Sequence, residues 1–262
     1  MQNLLQVNNL VGGYGREMVI KDVSFMIKKG EFVGIIGPNG SGKSTLLRLM
    51  SRVLVPGHGG VIFSGRDIAR MGLKDLACQV AFVSQDTAIN FSFSVEEIVL
   101  MGRIPHLKRL QSEVRKDFDI AERALSLTDT LGIRKKDIDG ISAGERQRVI
   151  IAKALAQEPA LLLLDEPTSH LDIGHQVQIL DLLKKLNRRD DLTIVMVLHD
   201  LNLASEYCSR IILLDEGKIF KDGTPDEVLT YQNIESVYKT IVIVNRNPLS
   251  SKTYVMLVSR EK

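Results

Sequence analysis

Gly37-Pro38-Asn39-Gly40-Ser41-Gly42-Lys43-Ser44-Thr45 decides how this chain is read. It fits the pattern G-x-x-x-x-G-K-[ST] and lies between an apolar run, Phe32-Val33-Gly34-Ile35-Ile36, and a segment whose Leu46, Leu47, Leu49 and Met50 share a helical face. Strand, glycine loop and helix follow in the order that a phosphate-binding loop requires. Gly37, Gly40 and Gly42 permit positive φ and close backbone approach, so successive amide N–H groups turn inward on an anion. The helix adds the positive end of its dipole, Lys43 a mobile charge near the β- and γ-phosphates, and Ser44 a hydroxyl for Mg²⁺. The loop predicts a nucleoside triphosphate.

The partner carboxylates lie far downstream. Ala160-Leu161-Leu162-Leu163-Leu164 reads as a buried parallel strand that delivers Asp165-Glu166-Pro167 at its carboxyl end, the edge where ligands gather. Asp165 is expected to hold Mg²⁺, usually through water, and Glu166 to orient or deprotonate the attacking water. Alone, two acids after an apolar run describe a solvated turn equally well; beside the glycine loop they read as catalytic.

Between these elements stands Ile141-Ser142-Ala143-Gly144-Glu145-Arg146-Gln147-Arg148, and with it the chain resembles the ATPase subunit of an ATP-binding cassette (ABC) transporter. The family signature is L-S-G-G-Q; Ser142 and Gly144 align with it, while Ile141, Ala143 and Glu145 depart from it. Glu145 resembles the variant of importer subunits for iron complexes and cobalamin. The remaining family positions follow in order along nearly the whole chain. By that resemblance Tyr14 stacks on adenine, Gln85 touches Mg²⁺ and joins the nucleotide site to a helical subdomain, and His199 contacts the γ-phosphate and the catalytic water. Lys43, Gln85, Glu166 and His199 form the catalytic set, and Ser44, Gln85 and Asp165 the Mg²⁺ ligands. Asp172 resembles the segment that faces the opposing subunit; by itself it reads as an N-cap for the helix carrying Ile173, Val177, Leu180 and Leu183.

The resemblance implies an α/β P-loop NTPase cassette with a mostly parallel core sheet, an antiparallel β subdomain and an α-helical subdomain. It also implies a homodimer in the ATP-bound state, because Ser142, Ala143, Gly144, Glu145 and Asp172 would meet a nucleotide held by the phosphate loop of a second copy. Cleavage of ATP to ADP and phosphate then loosens the pair, a ligand-driven shift between populations. Integral membrane permease subunits and, indirectly, a solute-binding protein are the other implied partners. Met101-Gly102-Arg103-Ile104-Pro105-His106, Thr168-Ser169-His170-Leu171-Asp172 and His199-Asp200-Leu201-Asn202-Leu203-Ala204 look like stretches of subunits for siderophore, haem or cobalamin import. Another solute, or a cassette ATPase acting on ribosomes or DNA, is the alternative.

Bulk properties agree. The chain has 262 residues, 44% of them hydrophobic, enough for one cassette spanning 1–262 with a helical subdomain at about 86–158 and a C-terminal extension at about 224–262. A net charge of +2, from 34 basic and 32 acidic side chains, makes no electrostatic case for nucleic acid. No run approaches the roughly 18 apolar residues of a membrane span, and Met1-Gln2-Asn3-Leu4 does not read as a secretory leader, so the expected place is the cytoplasm, peripheral on the inner membrane face. Cys78 and Cys208 read as reduced structural thiols. Leu4–Val7, Val23–Ile27 and Glu31–Ile36 read as the antiparallel β runs, Ser94-Val95-Glu96-Glu97 and Thr224-Pro225-Asp226-Glu227 as helix starts, and 241–244 with 253–258 as a terminal hairpin.

Overall fold

A computed structural model describes residues 3–85 and 92–259. Met1 and Gln2, Asp86 with the expected start of the helical subdomain, and the last three residues of the expected extension lie outside the described residues.

Residues 3–70 contain strands β1 (Asn3–Tyr14), β2 (Glu17–Lys28) and β3 (Phe32–Ile36), helix α1 (Lys43–Met50), and strands β4 (His58–Phe63) and β5 (Arg66–Asp67). Residues 71–192 add α2 (Leu73–Ala77), β6 (Val80–Val83), α3 (Val95–Leu100), α4 (Arg115–Leu127), α5 (Ala143–Ala156), β7 (Leu161–Asp165) and α6 (Ile173–Asp190). Residues 193–259 add β8 (Thr193–Val197), α7 (Leu201–Tyr207), β9 (Arg210–Asp215), β10 (Lys218–Gly223), α8 (Pro225–Val228), α9 (Tyr231–Tyr238), β11 (Val242–Arg246) and β12 (Thr253–Leu257). The first and third segments form one compact unit, and the middle segment forms a second.

In the first unit β2, β1, β4 and β5 make an antiparallel sheet. Its inward positions alternate along β2, where Ile20, Val23, Phe25 and Ile27 are buried between exposed residues, the period of a half-covered strand. β3 pairs in parallel with β8 on one side and β9 on the other, and β10 returns antiparallel to β9. Every residue of β3 and β8 is buried, which is why β3 is continuously apolar and β8 is apolar from Ile194 onward. Grouping Glu31–Ile36 with the antiparallel runs is corrected here: covered on both faces, Phe32–Ile36 joins the parallel set. The terminal segments form the antiparallel hairpin β11–β12, and Asn202 of α7 clips it by donating from Nδ2 to the Val255 carbonyl at 3.1 Å and accepting from the Val255 amide at 2.7 Å.

In the second unit β6 and β7 pair in parallel, and all five residues of β7 are buried. Helices α3, α4 and α5 close around Ile98, Val99, Leu125 and Val149. Met101–His106 forms a 3-10 turn pinned by buried Arg103, whose Nε donates to Asp117 Oδ1 at 3.0 Å and whose Nη1 donates to the Ala156 carbonyl at 2.6 Å and to Glu158 Oε2 at 2.9 Å. The Val114 amide, followed by that guanidinium, holds the Asp117 carboxyl below its ordinary pKa, so the buried cation faces a true anion. A Cβ at Gly102 would lie 2.2 Å from the Lys153 carbonyl oxygen, so only glycine admits this close approach to α5. This stretch, singled out in the sequence, is therefore a structural clamp on the helical layer.

Candidate functional site

The expected site residues fall into two groups, one in each unit. In the first unit the phosphate loop leaves the carboxyl end of β3 and enters α1. At Gly37 a Cβ would stand 2.3 Å from the Leu214 carbonyl oxygen, and at Gly42, φ +99°, it would stand 2.7 Å from Ile20 Cδ1. Both glycines are therefore packed so tightly against the first unit that neither position admits a side chain. Lys43, only 5% exposed, donates from Nζ to the carbonyls of Gly37 and Pro38, each at 2.9 Å. The Ser41 Oγ is buried with no hydrogen-bond partner among the described residues. Gly42 caps α1 without a side-chain acceptor, so this helix end is shaped by backbone alone. Asn39 and Gly40 are exposed, Ser44 is half-buried and Thr45 is buried.

Tyr14 ends β1, half-exposed, and its hydroxyl accepts from Arg48 Nη1 at 2.7 Å while the guanidinium lies 6.0 Å from the ring centroid. A cation on α1 thus sits beside the ring. His199 is exposed two residues beyond β8. Since β8 runs parallel to β3 and the Leu198 amide donates to the Ile35 carbonyl at 3.1 Å, His199 and the glycine loop leave the same edge of the strands. Asp200 then caps α7 by accepting from the amides of Asn202 and Leu203.

In the second unit β7 delivers Asp165, 1% exposed, followed by Glu166 in the left-handed region at φ +51°. Such a backbone costs a non-glycine residue of order 1–3 kcal/mol and persists where the surroundings over-determine it. Here they do: Glu166 Oε2 accepts from Gln85 Nε2 and from Ser169 Oγ, both at 2.9 Å. Gln85 sits two residues past β6, parallel to β7, so the two expected partners meet at one strand edge.

The expected signature is a reciprocal cap on α5. Ser142 Oγ accepts from the Glu145 amide at 3.3 Å, and Glu145 Oε2 accepts from the Ser142 amide and hydroxyl, both at 2.8 Å. The Ser142 amide, then its hydroxyl, holds the Glu145 carboxyl below its ordinary pKa. The amides of Ala143 and Gly144 donate to no group among the described residues. Asp172 caps α6, accepting from the His175 amide at 2.9 Å, so its reading as an N-cap holds. His175 was not expected. Its Nδ1 donates to Asp172 Oδ2 at 2.6 Å, and its ring lies where a Cβ on Gly144 would be, 2.3 Å from His175 Cδ2. A cleft of about 360 Å³ opens beside these turns, lined by Gln85, Ala143, Arg146, Gln147, Ser169 and His170. S-x-x-E at 142–145 carried the capping signal in the sequence; no sequence pattern announced the His175 contact.

A family model described as ABC transporter matches residues 20–169. Ferric enterobactin transport ATP-binding protein FepC of Escherichia coli is 39% identical over 98% of this chain and 94% of its own length. Iron(3+)-hydroxamate import ATP-binding protein FhuC of Bacillus subtilis is 39% identical over 99% of this chain and 98% of its own. Among solved structures, a dimeric post-hydrolysis state of the ATP-binding cassette MJ0796 bound to ADP and Pi superposes with a TM-score of 0.73 at 30% identity, covering 85% of this chain and 99% of that one. Phosphate cradle, capped signature turn and paired acids thus occur in a chain that belongs to the ABC transporter family, as one of its ATP-binding cassettes.

Proposed function

We propose that the chain is the ATP-hydrolysing subunit of an importer that takes up an iron chelate, acting as one cassette over 1–262 with its helical subdomain at about 86–158. The observation that carries this reading is the phosphate loop. Gly37 and Gly42 leave no room for a side chain, Lys43 stands buried in the loop, and the buried Ser41 hydroxyl has no partner among the described residues. A polyphosphate supplies the acceptors that such a cradle lacks. Residues 37–45 bind the phosphates and Tyr14 the adenine. Ser44, Gln85 and Asp165 offer only oxygen, the donor set that suits Mg²⁺, and the ion offsets charge on the β- and γ-phosphates. Glu166 acts as general base, held in place by Gln85 and Ser169. His199 contacts the γ-phosphate and the attacking water.

A second copy completes each site. The amides of Ala143 and Gly144, which have no acceptor among the described residues, face the nucleotide held by the partner together with Ser142, Glu145 and Asp172, so ATP joins two subunits and its hydrolysis releases them. No helix among the described residues is long and apolar enough to cross a membrane, which suits a subunit docked peripherally on permease subunits, with a solute-binding protein on the far side. The iron chelate is taken from the names of the similar import proteins, since the solute passes through another polypeptide.

The test joins chemistry to transport. The purified chain with Mg²⁺ and ATP releases inorganic phosphate at a specific rate that rises with protein concentration. Isolated from its own membranes, it brings a many-helix subunit with it, and its deletion abolishes uptake of a radio-iron chelate while leaving labelled cobalamin uptake intact. Loss of cobalamin uptake instead would move the substrate to corrinoids, and recovery with ribosomes or DNA would overturn the transport role.

A further inference from the structure

His175 lies between two turns that the dimer reading directs at the partner's nucleotide. On one side its Nδ1–H bonds to Asp172, which also accepts the His175 amide and so closes the first turn of α6. On the other its ring covers Gly144, the second residue of α5, so closely that a Cβ there would stand 2.3 Å from Cδ2, 2.7 Å from Cγ and 2.9 Å from Nε2. Both contacts involve a single imidazole, about a third of whose side chain is exposed. The His175 amide, followed by its ring nitrogen, holds the Asp172 carboxyl below its ordinary pKa, so the bond is charge-assisted from the acceptor side.

We infer that His175 is a positioning residue that keys the signature turn at 142–145 to the turn at Asp172, so that both present themselves to the partner's nucleotide as one rigid surface. Gly144 is glycine because its missing Cβ gives the imidazole its seat, and its amide carries no protein acceptor among the described residues. A stiff pair of turns loses less freedom when an anion orders them, so the key acts on assembly of the composite site. The inference rests on the composite-site reading and adds a residue that reading does not contain.

The experiment uses the full chain carrying Glu166→Gln, with His175→Ala, His175→Gln, Gly144→Ala and the Gly144→Ala/His175→Ala pair added in turn. Fluorescent ATP analogue titration reads nucleotide binding by the monomer, sedimentation against ATP concentration reads dimer formation, and hydrogen exchange without nucleotide reads the turns directly. His175→Ala is expected to leave monomer binding within about twofold while raising the ATP needed for half-dimerisation about tenfold, the size of a coupling between residues in contact. His175→Gln, which still donates to Asp172, recovers part of that loss. In the double variant the two losses fall short of multiplying, because the ring that the new Cβ strikes is gone. In the nucleotide-free monomer His175→Ala speeds exchange at residues 143–146 and 173–176 together. Unchanged dimerisation, strictly multiplying losses, or faster exchange at only one turn overturns the key. Should the Glu166→Gln parent fail to dimerise with ATP, the composite-site reading falls, and the exchange result still decides whether His175 joins the turns.

Discussion

The turns that open α3 and α5 share a cap and differ in what the cap leaves behind. At Ser94 the carboxylate of Glu97 accepts from the serine amide and hydroxyl at 2.7 Å each, and at Ser142 Glu145 does the same at 2.8 Å; the return bond to the serine hydroxyl is 3.3 Å in both. The next two amides diverge. Those of Val95 and Glu96 donate to the carbonyls of Lys136 and Arg134, and Val95 is fully buried. Those of Ala143 and Gly144 have no acceptor among the described residues, and Ala143 is exposed. A capping box starts a helix at both places, and only beyond Ser142 does it leave amides uncommitted among the described residues and so open to an anion.

The most severe test of that contrast places both turns in one trapped dimer. Glu166→Gln lowers phosphate release by about 10²- to 10⁴-fold while ATP binding persists. In the ATP-bound dimer the amides at 143–145 gain protection from exchange and those at 95–97 do not change. Equal protection at both turns would erase the distinction, and undiminished turnover would remove Glu166 from the chemistry.

Alanine at each serine is the next probe. Ser94→Ala and Ser142→Ala each cost about 1 kcal/mol in chemical denaturation, the ordinary loss of an N-cap. Turnover separates them: it stays near the parent value for Ser94→Ala and falls about tenfold for Ser142→Ala, the effect of losing one hydrogen bond to a charged group. A matched fall in both would mean that helix stability alone governs activity.

The smallest effect is in acid. Glu97 is held below its ordinary pKa first by the Ser94 hydroxyl and then by the Ser94 amide, Glu145 by the Ser142 amide and then its hydroxyl. A carboxyl whose folded pKa is depressed stabilises above the unfolded value and loses that stabilisation as pH falls through the folded one. Stability against urea should thus be flat near neutrality and decline below about pH 4.5. Glu145→Gln and Glu97→Gln keep the cap, because an amide oxygen still accepts, and each makes that decline shallower by a similar amount. A steeper decline in either variant would contradict the assignment of the lowered carboxyls.

Much of this was readable before any coordinates. Residues 161–164 are an apolar run because both faces of their strand are covered, and that pattern survives in one dimension; Phe32–Ile36 carries the same pattern, yet its neighbours in sequence drew it into the antiparallel set. The helix start at Thr224 was equally plain, with Pro225 in the first turn and Glu227 closing the box. The full length of β1 was not, since Asn8-Asn9 and Gly12-Gly13 break its alternation where its pairing with β2 slips register. His175 against Gly144 and Asn202 against Val255 were invisible for a different reason: each is a contact between segments far apart in the chain, decided by how helices and turns pack. Glycine at 144 looked like half of a motif, and only the imidazole beside it explains its second constraint.

Lys43 carries a last consequence. Its ammonium already has two loop carbonyls, at Gly37 and Pro38, so on the proposed function an arriving nucleotide would not neutralise a bare charge but take part in an exchange of ligands. The cation staples the loop from within through these carbonyls, and a polyphosphate bound as proposed would compete with them for its N–H groups.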